Sequence, residues 1–164
     1  MIHQLLDMPI EIERKFLASP AVLVHCQSGT VIVQGYLYTD ACNTIRVRRA
    51  DMRAFLTWKG PKCGPTREEV EIEVLLALGK ALLAIIPPTA RVRKTRYRVD
   101  HAGASWDVDV FAGRHEGLIL AEIEMAHEDQ AVTLPPWVER EVTDDERYRN
   151  SRLAALDLSI HRTV

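Results

Sequence analysis

Seven short segments of this chain alternate charged and apolar side chains with a period of two: Glu11–Phe16, Asn43–Arg49, Arg53–Lys59, Arg67–Val74, Ala90–Val99, Ser105–Phe111 and Leu118–Met125. That period belongs to the β-strand, in which successive side chains point to opposite faces and neighbours on one face stand roughly 6.5–7 Å apart. A chain patterned this way must build a sheet. It must also find a place for an entire face of charge.

For any one strand the ordinary place is water, since the outer strands of a sandwich alternate in the same way. The sorting of signs argues for something else. Acidic pairs occur at Glu11/Glu13, Glu69/Glu71, Asp107/Asp109 and Glu122/Glu124, and basic pairs at Arg46/Arg48 and Lys94/Arg96; Lys59 stands alone and Lys15 follows the first acidic pair. A solvated face usually mixes signs, because like charges side by side repel. Such pairs cost energy unless a counter-ion is expected. Carboxylate pairs suit hard cations, which take oxygen ligands, and Arg/Lys pairs suit phosphate oxygens. Closing eight strands into a barrel brings all seven faces around one lumen. Cation and phosphate sites together imply a metal-bound polyphosphate.

The rest of the chain supplies connectors and cover. Thr30–Tyr38 reads as a further strand with Gln34 and Tyr36 on one face, and Ala50-Asp51-Met52 as the turn of a hairpin. Gly60-Pro61-Lys62-Cys63-Gly64-Pro65 is a loop that lacks the spacing of a phosphate-binding P-loop. Between Leu75 and Ile85 the period becomes helical, and Pro87-Pro88 ends the helix. Thr143-Asp144-Asp145-Glu146 has the form of a capping box opening a C-terminal helix, with Leu153, Leu156, Leu158 and Ile160 as its packing stripe. In Ala90–Val99 both faces are charged, so periodicity alone leaves open which one is functional.

The 164 residues, 47% hydrophobic, fit a single domain spanning 1–164, with 1–8 a disordered or misassigned extension if Met8 is the true start. The 21 basic and 23 acidic residues nearly cancel, so nothing global points to nucleic acid or a membrane surface. Cys26, Cys42 and Cys63 are odd in number and lack metal-site spacing; they read as free thiols of a reducing cytoplasm. No secretion signal or membrane-length apolar run occurs. The six histidines are scattered and read as surface residues. Ile45, Val47, Val70 and Ile72 must face away from a charged lumen, covered by helices or by a second subunit, so monomer and homodimer both stay open.

Taken in order, E-x-E-x-K at Glu11–Lys15, R-x-R at Arg46–Arg48, the lysine before Gly60, E-x-E at Glu69–Glu71, K-T-R-Y at Lys94–Tyr97, D-V-F at Asp109–Phe111 and E-x-E at Glu122–Glu124 resemble the triphosphate tunnel metalloenzymes of the CYTH superfamily, in particular its short bacterial inorganic triphosphatases. The resemblance runs from about Pro9 to Arg152. It implies a closed eight-stranded antiparallel β-barrel with an inserted helix and a C-terminal helix, mainly β in class. It assigns phosphate binding to Lys15, Arg46, Arg48, Lys59, Lys94 and Arg96, and metal binding to Glu11, Glu13, Glu69, Glu71, Asp109, Glu122 and Glu124. Lys15, Lys94 and Glu13 are the residues it places in catalysis, and it selects the Lys94/Arg96 face of the sixth segment. Tyr36 either sets its hydroxyl beside the phosphates or packs outward, and Asp107, Glu73 and Arg98 either join the site or remain rim charges.

The expected reaction is hydrolysis of inorganic triphosphate to diphosphate and phosphate with Mg²⁺ or Mn²⁺, two ions in all, positioning and charge stabilisation doing most of the work. Thiamine or nucleoside triphosphatase activity, class IV-like adenylate cyclase activity and non-catalytic polyphosphate binding are the alternatives. No base-recognising feature supports the cyclase. Pure anion binding gains nothing from so many carboxylates.

Overall fold

The computed structural model describes residues 9–155. The alternating segments all become strands: β1 (Ile10–Ala18), β2 (Thr30–Thr39), β3 (Thr44–Ala50), β4 (Arg53–Cys63), β5 (Thr66–Val74), β6 (Arg91–His101), β7 (Ala104–Phe111) and β8 (Ile119–Glu124). A short β9 (Val138–Glu141) is added. Every pairing is antiparallel, in the order β5-β4-β3-β2-β6-β7-β8-β1, and β1 returns to β5 to close an eight-stranded barrel.

β1 is the seam of this barrel. One edge pairs with β8 from Glu13 to Leu17. The other is shared: β5 takes Ile10–Ile12 and β9 takes Phe16–Ala18. In the gap between them the Glu13 N–H donates to the Pro65 carbonyl at 3.1 Å, and the Lys15 N–H donates to Thr143 Oγ1 at 3.0 Å. The backbone of the E-x-E-x-K stretch is thereby satisfied without a full partner strand.

Since the charged faces point inward, the apolar faces need cover outside. Phe16, Trp106 and Trp137 stack edge to face at 5.5 and 5.6 Å beneath a 3-10 turn at Pro20–His25. On the opposite wall Val47 is buried against Leu83 and Ile86, where α1 (Leu76–Ile85) lies on the barrel. The helix ends where expected, because Pro87 holds Ile86 in an extended conformation. At Gly79 the helix approaches β4 so closely that a Cβ there would lie 2.3 Å from the Cβ of Ala54. Ile45 and Ile72, in contrast, stay exposed on the outer wall.

A third apolar cluster lies inside. One or two steps along from the charges of β6, β7 and β8, the inward positions are Val92, Phe111 and Leu120, and there Leu153 of α2 (Asn150–Ala155) is buried. Arg114 donates to the carbonyls of Leu153 and Ala154, and His115 Nε2 lies 2.7 Å from the Leu153 carbonyl. The helix therefore closes part of one mouth.

Two expectations are corrected here. His115 is buried, not at the surface, because a carbonyl near the end of α2 offers its ring a partner. The capping box does not form. Thr143 Oγ1 accepts from Lys15 and donates to Glu141, while Asp145 caps a 3-10 turn at Glu146–Tyr148, and helix begins only at Asn150. Residues 1–8 and the stripe positions Leu156, Leu158 and Ile160 lie outside the described residues.

Candidate active site

The inward faces of the strands enclose a cavity of about 270 Å³. Glu11, Glu13, Lys15, Tyr36, Arg46, Arg48, Lys59, Glu69, Glu71, Lys94, Arg96, Glu122 and Glu124 all line it. Register explains the convergence: Lys15 faces Glu122 and Glu13 faces Glu124 across β1 and β8, Lys59 faces Glu69 across β4 and β5, and Arg96 faces Asp109 across β6 and β7. Asp109 is the exception among the expected residues. It is fully buried behind the lining, 2.5 Å from Lys94 Nζ and 2.7 Å from Arg96. Of the rim candidates, Asp107 joins Arg96 to Arg98, whereas Glu73 pairs with Arg53 in solvent.

Acids and bases neutralise one another in a chain around the wall. Glu122 lies 2.9 Å from Lys15 and 2.6 Å from Arg96. Glu71 joins Arg46 at 3.2 Å and Arg48 at 2.7 Å and accepts from Thr57 at 2.6 Å. Lys59 bridges Glu11 at 2.7 Å and Glu69 at 2.5 Å. Burial alone would raise the Glu122 carboxyl, but Lys15, Arg96 and Lys94 outweigh it and hold the group well below the usual range. Burial would likewise lower the Lys15 ammonium, yet Glu122 and Glu13 reverse the effect and keep it above its ordinary value. For Lys94 burial wins: opposed by Asp109 and reinforced by Arg96, it brings the ammonium down to about 8.

Glu13 is the odd member. Its carboxylate makes no hydrogen bond or ion pair among the described residues, and Glu124, its neighbour across the seam, has none either. Burial, with the charge of Glu122 added, pushes the Glu13 carboxyl up to about 7, against partial opposition from Lys15.

Comparison with known proteins places this geometry. Residues 9–154 match the CYTH domain. The chain belongs to the CYTH family. An inorganic triphosphatase of Acetivibrio thermocellus is 37% identical over 143 residues, which covers 87% of this chain and 92% of that protein. One from Nitrosomonas europaea is 39% identical over 152 residues, covering 88% and 96%. A crystal structure of an inorganic triphosphatase, 36% identical, superposes with a TM-score of 0.62 over 92% of this chain and 95% of its own. A conserved protein of Pyrococcus furiosus, 18% identical with a TM-score of 0.54, shares the fold.

The CYTH fold implies a metal, and the donor set fits one. Glu13 and Glu124 face each other across β1 and β8 and neither is in an ion pair among the described residues, so a hard divalent ion placed between them would gain carboxylate ligands without displacing a lysine or arginine. Among the described residues no three acidic, histidine or cysteine groups converge on one point; Glu11, Glu69, Glu71 and Glu122 are held by lysines and arginines.

Several lining residues escaped the sequence reading. Arg67 has the inward parity of Glu69 and Glu71, a signal that was there to use. Lys62 had none, because a bulge between Lys59 and Lys62 resets the alternation. Arg149, Asn150 and Ser151 lie where the C-terminal connector enters α2, and no period announces which side faces the lumen there.

Proposed function

We propose that this chain is a single-domain cytoplasmic hydrolase that cleaves inorganic triphosphate to diphosphate and phosphate inside its barrel, using two Mg²⁺ or Mn²⁺ ions. The observation that carries this reading is a small lumen lined by Lys15, Arg46, Arg48, Lys59, Lys94 and Arg96 together with six glutamates, two of which make no ion pair among the described residues. The identity of 37–39% to inorganic triphosphatases over nearly the whole chain supports the substrate.

In this reading Glu11, Glu13, Glu69, Glu71, Glu122 and Glu124 hold the metal. Bound there, it would neutralise phosphate charge and supply an activated water. Any of Glu11, Glu69, Glu71 or Glu122 drawn to metal would release the lysine or arginine it now holds, and that cation would become free to bind phosphate. Arg46 and Arg48, which share Glu71, then present their guanidinium forks to neighbouring phosphoryl oxygens. Lys15 and Lys94, both deep in the wall, offset charge on the reacting phosphoryl group where water screens least. Asp109 lies beyond reach of the lumen and serves by holding Lys94 and Arg96 in place.

Phosphate release from triphosphate, thiamine triphosphate and ATP, each with Mg²⁺, Mn²⁺ or EDTA, tests the reading. Triphosphate should be preferred, EDTA should abolish turnover, and Glu13→Ala should lose about 10²-fold or more. Equal rates on ATP, or activity that survives EDTA, would overturn it. Cyclic AMP measured in the same reactions decides against or for cyclase chemistry.

A further inference from the structure

The lumen opens at both ends, and the ends differ in charge balance. Where β3 and β4 turn, the cations have acidic partners: Asp107 lies 2.9 Å from Arg96 and 3.5 Å from Arg98, and Glu73 lies 2.6 Å from Arg53. At the α2 end a second cavity, about 520 Å³, adjoins the first, and Tyr36, Thr44, Lys62, Arg67, Arg149 and Ser151 border both. Those residues form a neck.

The cations of the neck have few ion-pair partners, and Glu11 and Glu69 act on Arg67, and Asp144 and Glu13 on Lys62, only from further off. Lys62 and Arg67 face each other directly across β4 and β5, a like-charge pair that costs energy. Neither has a carboxylate within ion-pair distance among the described residues. The Lys62 ammonium donates to the Thr143 carbonyl and Arg67 Nη2 to the Gly60 carbonyl at 2.6 Å. Arg149 leans on Glu146 at 3.1 Å, and the buried Nε of both Arg67 and Arg149 lacks a partner among the described residues. Burial lowers the Lys62 ammonium, and the charges of Lys15 and Arg149 add to the effect. Two cations without an ion pair and a third with a spare donor at one constriction suit an anion, and guanidinium with ammonium fits a tetrahedral oxyanion.

We propose that Lys62 and Arg67, closed over by Arg149, form a phosphate-binding station at the neck that takes one phosphoryl group beyond the three of triphosphate. The inference rests on the reading of the lumen as a triphosphate site. Two sources supply that phosphoryl group: the fourth unit of a longer linear polyphosphate threaded through the neck, or the orthophosphate that leaves after cleavage.

The test uses the full chain as wild type, Lys62→Ala and Arg67→Ala. Inorganic phosphate is titrated calorimetrically and as an inhibitor, and KM is measured for triphosphate and linear tetraphosphate. The station predicts a rise of about tenfold in the dissociation constant of phosphate, in KM for tetraphosphate, or in both, exceeding any rise in KM for triphosphate. A change confined to tetraphosphate assigns the site to chain extension; one confined to phosphate assigns it to product. If both constants stay within about twofold in variants that melt like wild type, the station does not exist. If KM for triphosphate rises equally, these residues belong to the triphosphate site and the proposal falls. Lys62→Arg and Arg67→Lys guard against misfolding, since restored charge should recover most of the phosphate affinity. Should wild type fail to cleave triphosphate, the functional reading fails on its own, and phosphate calorimetry still decides the station.

Discussion

Asp109 shares its inward parity with Asp107, two residues away, yet the two meet different fates because the barrel is dry at one level and wet at the other. Asp109 is fully buried against Lys94 and Arg96, and Asp107 sits at the rim with about a third of its side chain exposed. Two buried charges repay their desolvation only while each keeps its partner. Asp109→Ala leaves Lys94, itself 2% exposed, with no ion-pair partner among the described residues, and should cost about 3–5 kcal/mol of stability in urea denaturation. Lys94→Ala should cost less, because Arg96 still donates twice to Asp109. If the order reverses, Asp109 is held by something other than these ion pairs.

At the scale of elements, the docking of α1 poses a contest between propensity and packing. Alanine in place of a helical glycine gains about 1 kcal/mol. At Gly79 the new methyl would lie 2.3 Å from Ala54 Cβ, and forcing the helix away from β4 costs about 1–3 kcal/mol. Packing should win: Gly79→Ala lowers the melting temperature, and adding Ala54→Gly restores it. The β2–β3 turn offers a titratable counterpart. Asp40 accepts from the amides of Cys42 and Asn43 at 2.7 and 2.6 Å and from the Tyr38 hydroxyl at 2.7 Å, and its carboxyl is pulled from 3.8 down to about 2, first by Tyr38 and then by the amides. A carboxyl whose value falls on folding stabilises the folded chain above its unfolded value and loses that contribution as pH drops. The stability difference between wild type and Asp40→Asn should therefore be constant above about pH 4 and fade between pH 4 and pH 2, as read from denaturation at each pH. The strands were legible because a two-residue period survives any tertiary context. Lys62 was not, since a bulge breaks the count, and neither was the start of α2, because the apparent cap at Thr143 is spent on the β1 seam. Asp109 was found by parity but misread in depth, because alternation tells the face and not the level along the barrel.

Seen whole, the molecule is a barrel turned inside out, with apolar walls covered by α1 and by the 3-10 turn Pro20–His25 with Trp137, α2 at one mouth, and a lumen that holds most of its sorted charge. Outside the Glu13/Glu124 pair and the neck, lumen cations and acids serve as one another's counter-ions, so a polyanion or a metal that binds there alone strands charges of the other kind. Binding should consequently be cooperative between the two. A ligand at about a hundredfold its dissociation constant adds about 2.7 kcal/mol to stability, which for a chain of this size raises the melting temperature by about 5–10 °C. Thermal scans with imidotriphosphate, a triphosphate that resists hydrolysis, should give that rise with the anion and Mg²⁺ together and much less with either alone. A full rise from triphosphate in EDTA would mean that the lumen recognises the bare polyanion and that its glutamates do not depend on metal to release their cations.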